Sequence, residues 1–259
     1  MGILNLTPDS FSDGGRYRTL DQITQRTEEL LAGGAQIVDV GGVSTRPQAT
    51  PVTLNEELDR ILEPLAHLVA RFPEALFSVD TYRAAVASQA LAAGAHIIND
   101  VTGGRIEPEL LTVVAGAGVP YVLTHSQADP YTHATATEYN NLSEEVWQYF
   151  VERINAVRAV GIQDIILDPG FGFSKTIDQN YSIFKDLEEL QLFRLPVLIG
   201  ISRKSMLYKP LGLNPLQTEH IATALHLQAL RAGVSIIRTH EPRLANDVID
   251  LYINQLDPN

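Results

Sequence analysis

Residues able to bind a small charged heterocycle fall at the ends of short apolar runs along this chain. Asn5, Asp39, Asp80, Asn99 with Asp100, and Asp168 close five such runs; His125, then Ser202-Arg203-Lys204, then Arg238 and His240, follow or close three more. Any single Asn or Asp at such a place could simply cap a turn. All eight ends carrying a polar or ionisable group points instead to one shared polar mouth. Asp80, Asp168 and Asn99 offer oxygens that accept adjacent N–H donors, which suits the guanidine-like edge of a planar ring. Cations gather in the same loops and first helical turns: Arg16, Arg18, Arg46, Arg83, Arg105, Lys175, Arg203, Lys204, Lys209, Arg238 and Arg243. Together with helix N-termini they suit an anion such as a phosphate or pyrophosphate, although pairing with acidic loop neighbours explains any one of them equally well. His125 and His240 share this face, but no HxH or HExxH pair exists, so a tight zinc site is not expected. A Mg2+ carried by a phosphate ligand and one protein oxygen is compatible with these residues.

These groups need a scaffold that brings eight strand ends together. Nearly continuous apolar runs read as strands buried on both faces at Gly2–Leu6, Gln36–Gly41, Leu76–Asp80, His96–Val101, Pro120–Thr124, Asp164–Asp168, Pro196–Ile201 and Val234–Thr239. Amphipathic helical patterns follow at Leu20–Ala32, Leu54–Arg71, Arg83–Ala92, Pro108–Ala117, Ser143–Val160, Ile177–Leu190, Leu216–Arg231 and Pro242–Gln255. Several end in glycine just before the next strand, as helix C-termini do. Eight β-α alternations without a linker predict a single-domain (β/α)8 TIM barrel rather than an open doubly wound sheet. In a barrel, strand C-termini and the loops that follow them form the active face.

Composition bounds the function. The 259 residues carry 19 Lys and Arg against 31 Asp and Glu, a formal charge of −12, with 45% hydrophobic residues. Such an acidic chain lacks the basic field of a nucleic-acid binder, and the absence of cysteine removes disulfides, zinc-thiolate sites, iron–sulfur clusters and thiol nucleophiles. No apolar run reaches the length of a bilayer span and no signal peptide is recognisable, so neither membrane nor nucleic acid is an expected partner and a cytoplasmic location is expected.

The ordered motifs MGILNLTPDSFSDGG, IVDVGGVSTRP, SVDTYRAAVA, GAHIINDVTGG, LDPGFGF, GISRKSM and IIRTHE run nearly end to end. With them the chain resembles the dihydropteroate synthase family of pterin-binding barrels. That resemblance implies condensation of 6-hydroxymethyl-7,8-dihydropterin pyrophosphate with p-aminobenzoate, Mg2+ as cofactor, a homodimer and a sulfonamide target. It also assigns residues by position. Asp80, Asn99, Asp168 and Lys204 would hydrogen-bond the pterin, and Arg238 would stack on it while helping to bind phosphate. Asn5 would touch Mg2+ and, with Arg46 and His240, the pyrophosphate. Thr45, Pro47, Phe173, Ser205 and Phe11 would shape the p-aminobenzoate site.

The sequence departs from the family pattern at Val43, where a Glu is usual, and at Thr124, where a Met usually faces the pterin. Relatives also usually carry residues ahead of the MGILN strand, so a segment before the first strand is expected to be missing from residues 1–259. Two alternatives stay open at this point: a methyltetrahydrofolate:corrinoid methyltransferase, which has no use for a pyrophosphate cradle, and a non-catalytic pterin-binding paralogue.

Overall fold

The computed structural model describes residues 1–7, 19–43, 51–129, 131–132 and 136–256. Eight strands alternate with helices: β1 Gly2–Asn5, β2 Ile37–Gly41, β3 Leu76–Asp80, β4 Ile97–Asp100, β5 Tyr121–Thr124, β6 Ile165–Asp168, β7 Leu198–Ile199 and β8 Ile236–Ile237. The helices are α1 Leu20–Ala32, α2 Leu54–Arg71, α3 Ala84–Ala92, α4 Glu109–Ala117, α5 Leu142–Ala159, α6 Ile177–Lys185, α7 Ser205–Tyr208, α8 Glu219–Arg231 and α9 Pro242–Leu251. Strands β1 to β6 form one parallel sheet in sequential order, and β7 pairs with β8. Single bridges join the two pieces on both sides. The Leu167 N–H donates to Pro196 O at 2.8 Å between β6 and β7. Between β8 and β1, Ile3 N–H donates to Thr239 O and Thr239 N–H to Met1 O, each at 3.0 Å. The result is a closed (β/α)8 barrel.

Side-chain alternation along each strand separates two cores. Val38, Val40, Phe77, Val79, Ile98 and Leu123 pack with the helices in the main apolar cluster. Ile97, Val122, Ile166 and Leu198 form a separate cluster with Met1, Ile37 and Ile236, which fills the lower lumen. Two residues further along five of these strands, the same inward face carries Asp39, Asn99, Thr124, Asp168 and Arg238. Period-2 geometry thus stacks a polar layer directly on an apolar floor.

Local chemistry fixes the helix starts. Thr19, Thr53 and Thr176 each cap a helix, with Gln22, Glu56 and Gln179 returning the reciprocal hydrogen bond. At α1, α2 and β3 the sequence-derived boundaries coincide with the observed ones. The last two strands are shorter than the patterns Pro196–Ile201 and Val234–Thr239. Pro196 has no N–H to give, and beyond Ile199 the chain turns, with Lys204 N–H donating to Ile201 O at 3.1 Å. The expected helix Leu216–Arg231 begins only at Glu219, because Asn214 caps a 3-10 turn at Pro215–Gln217. The expected Ile177–Leu190 helix ends at Lys185, and a 3-10 segment, Leu187–Phe193, takes over.

His226 lies on the buried face of α8, and among the described residues neither ring nitrogen has a hydrogen-bond partner. Burial lowers its pKa to about 4. The unfolded chain binds this proton near pH 6.5 and the folded chain only near 4. Stability present above pH 6.5 is therefore lost as the pH falls through that window, by up to ~1.4 kcal/mol per pH unit. His226→Leu should flatten this dependence in denaturant melts at about pH 7 and about pH 5; equal pH slopes for the two proteins would exclude His226 as its source.

Candidate active site

At the upper lumen, the guanidinium of Arg238 reaches back from β8 to the ends of β2 and β3. Its Nε donates to Asp39 Oδ2 at 2.7 Å and its Nη2 to Asp80 Oδ2 at 3.2 Å. Gly200, just past β7, lies alongside this side chain: a methyl group there would be in ordinary contact, 3.8 Å from Arg238 Cβ and Cδ. Asn99 donates from Nδ2 to the same Asp39 Oδ2 at 3.0 Å. Asp39 Oδ1 and Asn99 Oδ1 are buried with no protein partner among the described residues, as is the Thr124 hydroxyl. Burial, reinforced by Asp39, raises the Asp80 pKa to about 7, against the opposing pull of Arg238. Asp80 keeps 19% of its side chain exposed, whereas Asp39 is wholly enclosed, so Asp80 is the carboxylate open to a ligand.

A second carboxylate faces this pair from β6. Asp168 starts the turn Asp168-Pro169-Gly170-Phe171-Gly172-Phe173 and accepts from Gly170 N–H at 2.8 Å. Gly170 has φ 69°, and a methyl group on it would meet His125 O at 2.0 Å, so only glycine fits. Burial raises the Asp168 pKa, and the Lys204 charge partly offsets this. Lys204 donates from Nζ to Phe171 O, and the same nitrogen sits 4.6 Å from the Phe173 ring centroid. Its own pKa is pulled down to about 8, chiefly by burial. Ser205 follows as the first residue of α7. His240 Nδ1 lies 2.9 Å from Ser202 Oγ, which ties the loop after β7 to that after β8.

The structure thus brings together Asp80, Asn99, Asp168, Lys204 and Arg238, with Phe173 and His240 in the surrounding loops and Ser205 at the start of α7. Asn5 ends β1 beside them. A methyl group on Gly41 would lie 3.7 Å from Asn5 Oδ1 and 3.9 Å from Asp80 Oδ2, so this glycine leaves a small oxygen-lined recess. Phe11, Thr45, Arg46 and Pro47 lie outside the described residues, as do Arg16 and Arg18.

The expected gathering of cations needs correction. Arg203 is committed to Glu219 at 2.6 Å and Glu241 at 2.7 Å, and Arg83 to Glu57. Arg105 donates to the carbonyls of Ser126 and Gln127. These three hold loops together, and among the described residues Lys204 and Arg238 are the cations that reach the polar layer. His125 is enclosed rather than presented at the mouth: it is 2% exposed and its Nδ1 lies 2.8 Å from Lys175 Nζ. Burial lowers its pKa well below the usual histidine range and brings Lys175 to about 7.

In the sequence Asp39 is only a strand end with no evident role; its inward parity with Asp80 and Asn99 follows once the strand register is fixed. Lys175 carried no distinguishing signal, because its burial depends on contacts with residues distant in the chain. As a whole the site offers acceptor oxygens deep in the lumen and two cations around them. That arrangement can hold a planar, N–H-rich ring and balance an anion near the rim.

Residues 1–240 match the family of pterin binding enzymes. The dihydropteroate synthase of Synechocystis sp. is 41% identical over 245 residues, covering 93% of this chain and 84% of that protein. Dihydropteroate synthase from Yersinia pestis, solved in complex with a sulfonamide drug, superposes with a TM-score of 0.93 at 39% identity, covering 98% of this chain and 93% of that one. The enzyme of Xanthomonas albilineans, solved with 4-aminobenzoic acid, gives a TM-score of 0.91 at 37% identity over 99% and 92% of the two chains. These matches extend along almost the whole length of the chain. The chain belongs to the pterin-binding enzymes, in their dihydropteroate synthase branch.

Proposed function

We propose that residues 1–259 act as one catalytic unit joining 6-hydroxymethyl-7,8-dihydropterin pyrophosphate to p-aminobenzoate, giving 7,8-dihydropteroate and pyrophosphate. The observation that carries this reading is the convergence of Asp80, Asn99, Asp168, Lys204 and Arg238 on one lumen in a chain so similar to known synthases. Asp168 and Asn99 accept from the amino and ring N–H groups of the pterin. Lys204 donates to its acceptor edge, and Arg238 lies against the ring while one face of its charge serves the phosphate side. In the reaction the carbon–oxygen bond of the hydroxymethyl group breaks and its electron pair leaves with pyrophosphate. The pterin methylene cation is stabilised by the electron-rich ring and by the Asp80 carboxylate. The neutral aniline nitrogen then forms the carbon–nitrogen bond and releases a proton to solvent or to the departing anion.

His240, with Arg46, balances the pyrophosphate, while Thr45, Pro47, Phe173, Ser205 and Phe11 shape the p-aminobenzoate subsite. Sulfonamide drugs, which the Yersinia pestis enzyme binds, fit the same aniline-binding role here. The oxygen-lined recess at Gly41 suits a hard cation held by Asn5 and a phosphate ligand, and bound Mg2+ would supply charge neutralisation for the leaving pyrophosphate. The reading carries with it a homodimer working in the cytoplasm. No helix among the described residues is long and apolar enough to cross a membrane.

The direct test supplies the purified protein with the dihydropterin pyrophosphate and Mg2+, with and without p-aminobenzoate, and identifies the product by mass. Dihydropteroate formed together with pyrophosphate is expected; pterin binding without product would refute the synthase reading. Asp168→Ala should weaken pterin binding by about 2–5 kcal/mol, because one partner of a buried charged hydrogen bond is lost, and an unchanged dissociation constant would remove Asp168 from the ring site. Arg238→Lys should lower turnover despite the retained charge, since Lys cannot span Asp39 and Asp80 while lying flat on a ring; full turnover would take Arg238 out of the mechanism. Asp80, with its pKa raised to about 7, is partly protonated at neutral pH and must ionise to accept the ligand or favour the cation. Pterin binding should therefore release protons and weaken as the pH falls below about 7. Calorimetry in two buffers of different ionisation enthalpy measures this, and identical heats would rule it out.

A further inference from the structure

Lys175 is 8% exposed and packs against the Asp168–Phe173 turn, bonded to its backbone rather than to a side chain that the proposed reaction uses. Its Nζ has three acceptors within reach: His125 Nδ1 at 2.8 Å, Gly170 O at 3.2 Å and Phe173 O at 3.2 Å. An ammonium carries three N–H donors, so the number matches. The two carbonyls bracket the turn, and the third acceptor belongs to the residue following β5. His125 is itself fixed, packed edge-on against Tyr149 with ring centroids 4.7 Å apart. Its backbone N–H donates to Asp168 O at 2.9 Å. On the other flank Asn180 accepts from Gly172 N–H at 2.7 Å, and Tyr139 donates to Ser174 O at 2.7 Å. Ser174 has φ 48°, a conformation a serine holds only when its surroundings impose it.

We propose that Lys175 is a positioning residue for the synthase reaction: its side chain fastens the turn to His125 and so sets where Phe173, and to a lesser degree Asp168, meet the substrates. This inference rests on the function proposed above. Phe173 depends on the clamp more than Asp168 does. Asp168 keeps its bonds to Gly170 N–H and His125 N–H without Lys175, whereas the Phe173 carbonyl accepts directly from Nζ. Lys175 touches no reacting atom in this scheme; its charge also bears on Asp168 and Lys204, an influence that both His125 variants retain, so those two variants isolate the geometric effect.

Kinetics of Lys175→Met, His125→Leu and His125→Gln, combined with a fluorine spectrum of protein labelled with fluorophenylalanine, test this. The Phe173 signal among the eight phenylalanines is assigned with Phe173→Leu. Lys175→Met should raise the KM for p-aminobenzoate about tenfold, change the pterin KM by less than about threefold, and shift the Phe173 resonance in the absence of ligand. His125→Leu should move the same quantities in the same direction. His125→Gln, which keeps an acceptor for Nζ, should restore them. A p-aminobenzoate KM and a Phe173 resonance unmoved in Lys175→Met would overturn the proposal. If that variant fails to fold, equal behaviour of His125→Leu and His125→Gln would do so. Should the parent protein make no dihydropteroate, the proposed function fails, while the ligand-free fluorine spectra still decide whether Lys175 positions the turn.

Discussion

Arg238 is held between two carboxylates, Asp39 and Asp80, at the top of a lumen whose floor is hydrocarbon. Two negative charges and one positive charge in such a place are costly to desolvate, and their mutual attraction offsets that cost only when the geometry is good. The fork of the guanidinium supplies the geometry, one nitrogen to each carboxylate. Asn99 adds a neutral donor to Asp39. Buried acceptors on Asp39 and Asn99 have no protein partner among the described residues. The cluster's composition therefore asks for donors from outside, which a pterin supplies.

The barrel makes this cluster possible. Asp39, Asp80 and Arg238 lie far apart in the chain and meet because β8 closes onto β1, through the paired bonds of Thr239 with Met1 and Ile3. The register between β2, β3 and β4 then sets Gly41 opposite Asp80 and Asp80 opposite Asn99. A slip of one residue would turn each of these polar side chains into the helix-facing core. The apolar packing of Ile97, Val122, Ile166 and Leu198 below, and of Phe77 and Val79 outside, is what holds that register.

The opposite wall is set by the turn after β6 rather than by the sheet itself. Gly170 allows a backbone approach to His125 that no other residue permits, and Asn180, Tyr139 and Lys175 hold the turn from behind. Lys204 lies across its front, bonded to Phe171 O and close to the Phe173 ring. One face of the site is thus a rigid ion-paired layer built on strands, and the other a loop fixed by buried hydrogen bonds. A condensation that must hold a ring while a second molecule approaches is served by both.

The sequence by itself determined the alternation of strands and helices, because burial on both faces and the 3.6-residue period leave local signatures. It also determined most capped helix starts, and α1, α2 and β3 coincide with their patterns to the residue. It marked Asp80, Asn99, Asp168, Lys204 and Arg238 as strand-end groups, since a barrel turns strand ends into a common face. Pairing was decided only in three dimensions. Nothing local distinguishes Arg203, which is spent on Glu219 and Glu241, from Lys204 next to it, which reaches the site. Arg203 has φ 59°, and that backbone turn sends the two neighbouring side chains in different directions. Likewise, His125 resembled a mouth residue and Lys175 one more loop cation, until packing enclosed both and joined them. Period and parity are properties of neighbouring residues and can be read along the chain. Which charge meets which depends on backbone turns and on contacts between residues distant in sequence, and these exist only once the barrel has closed.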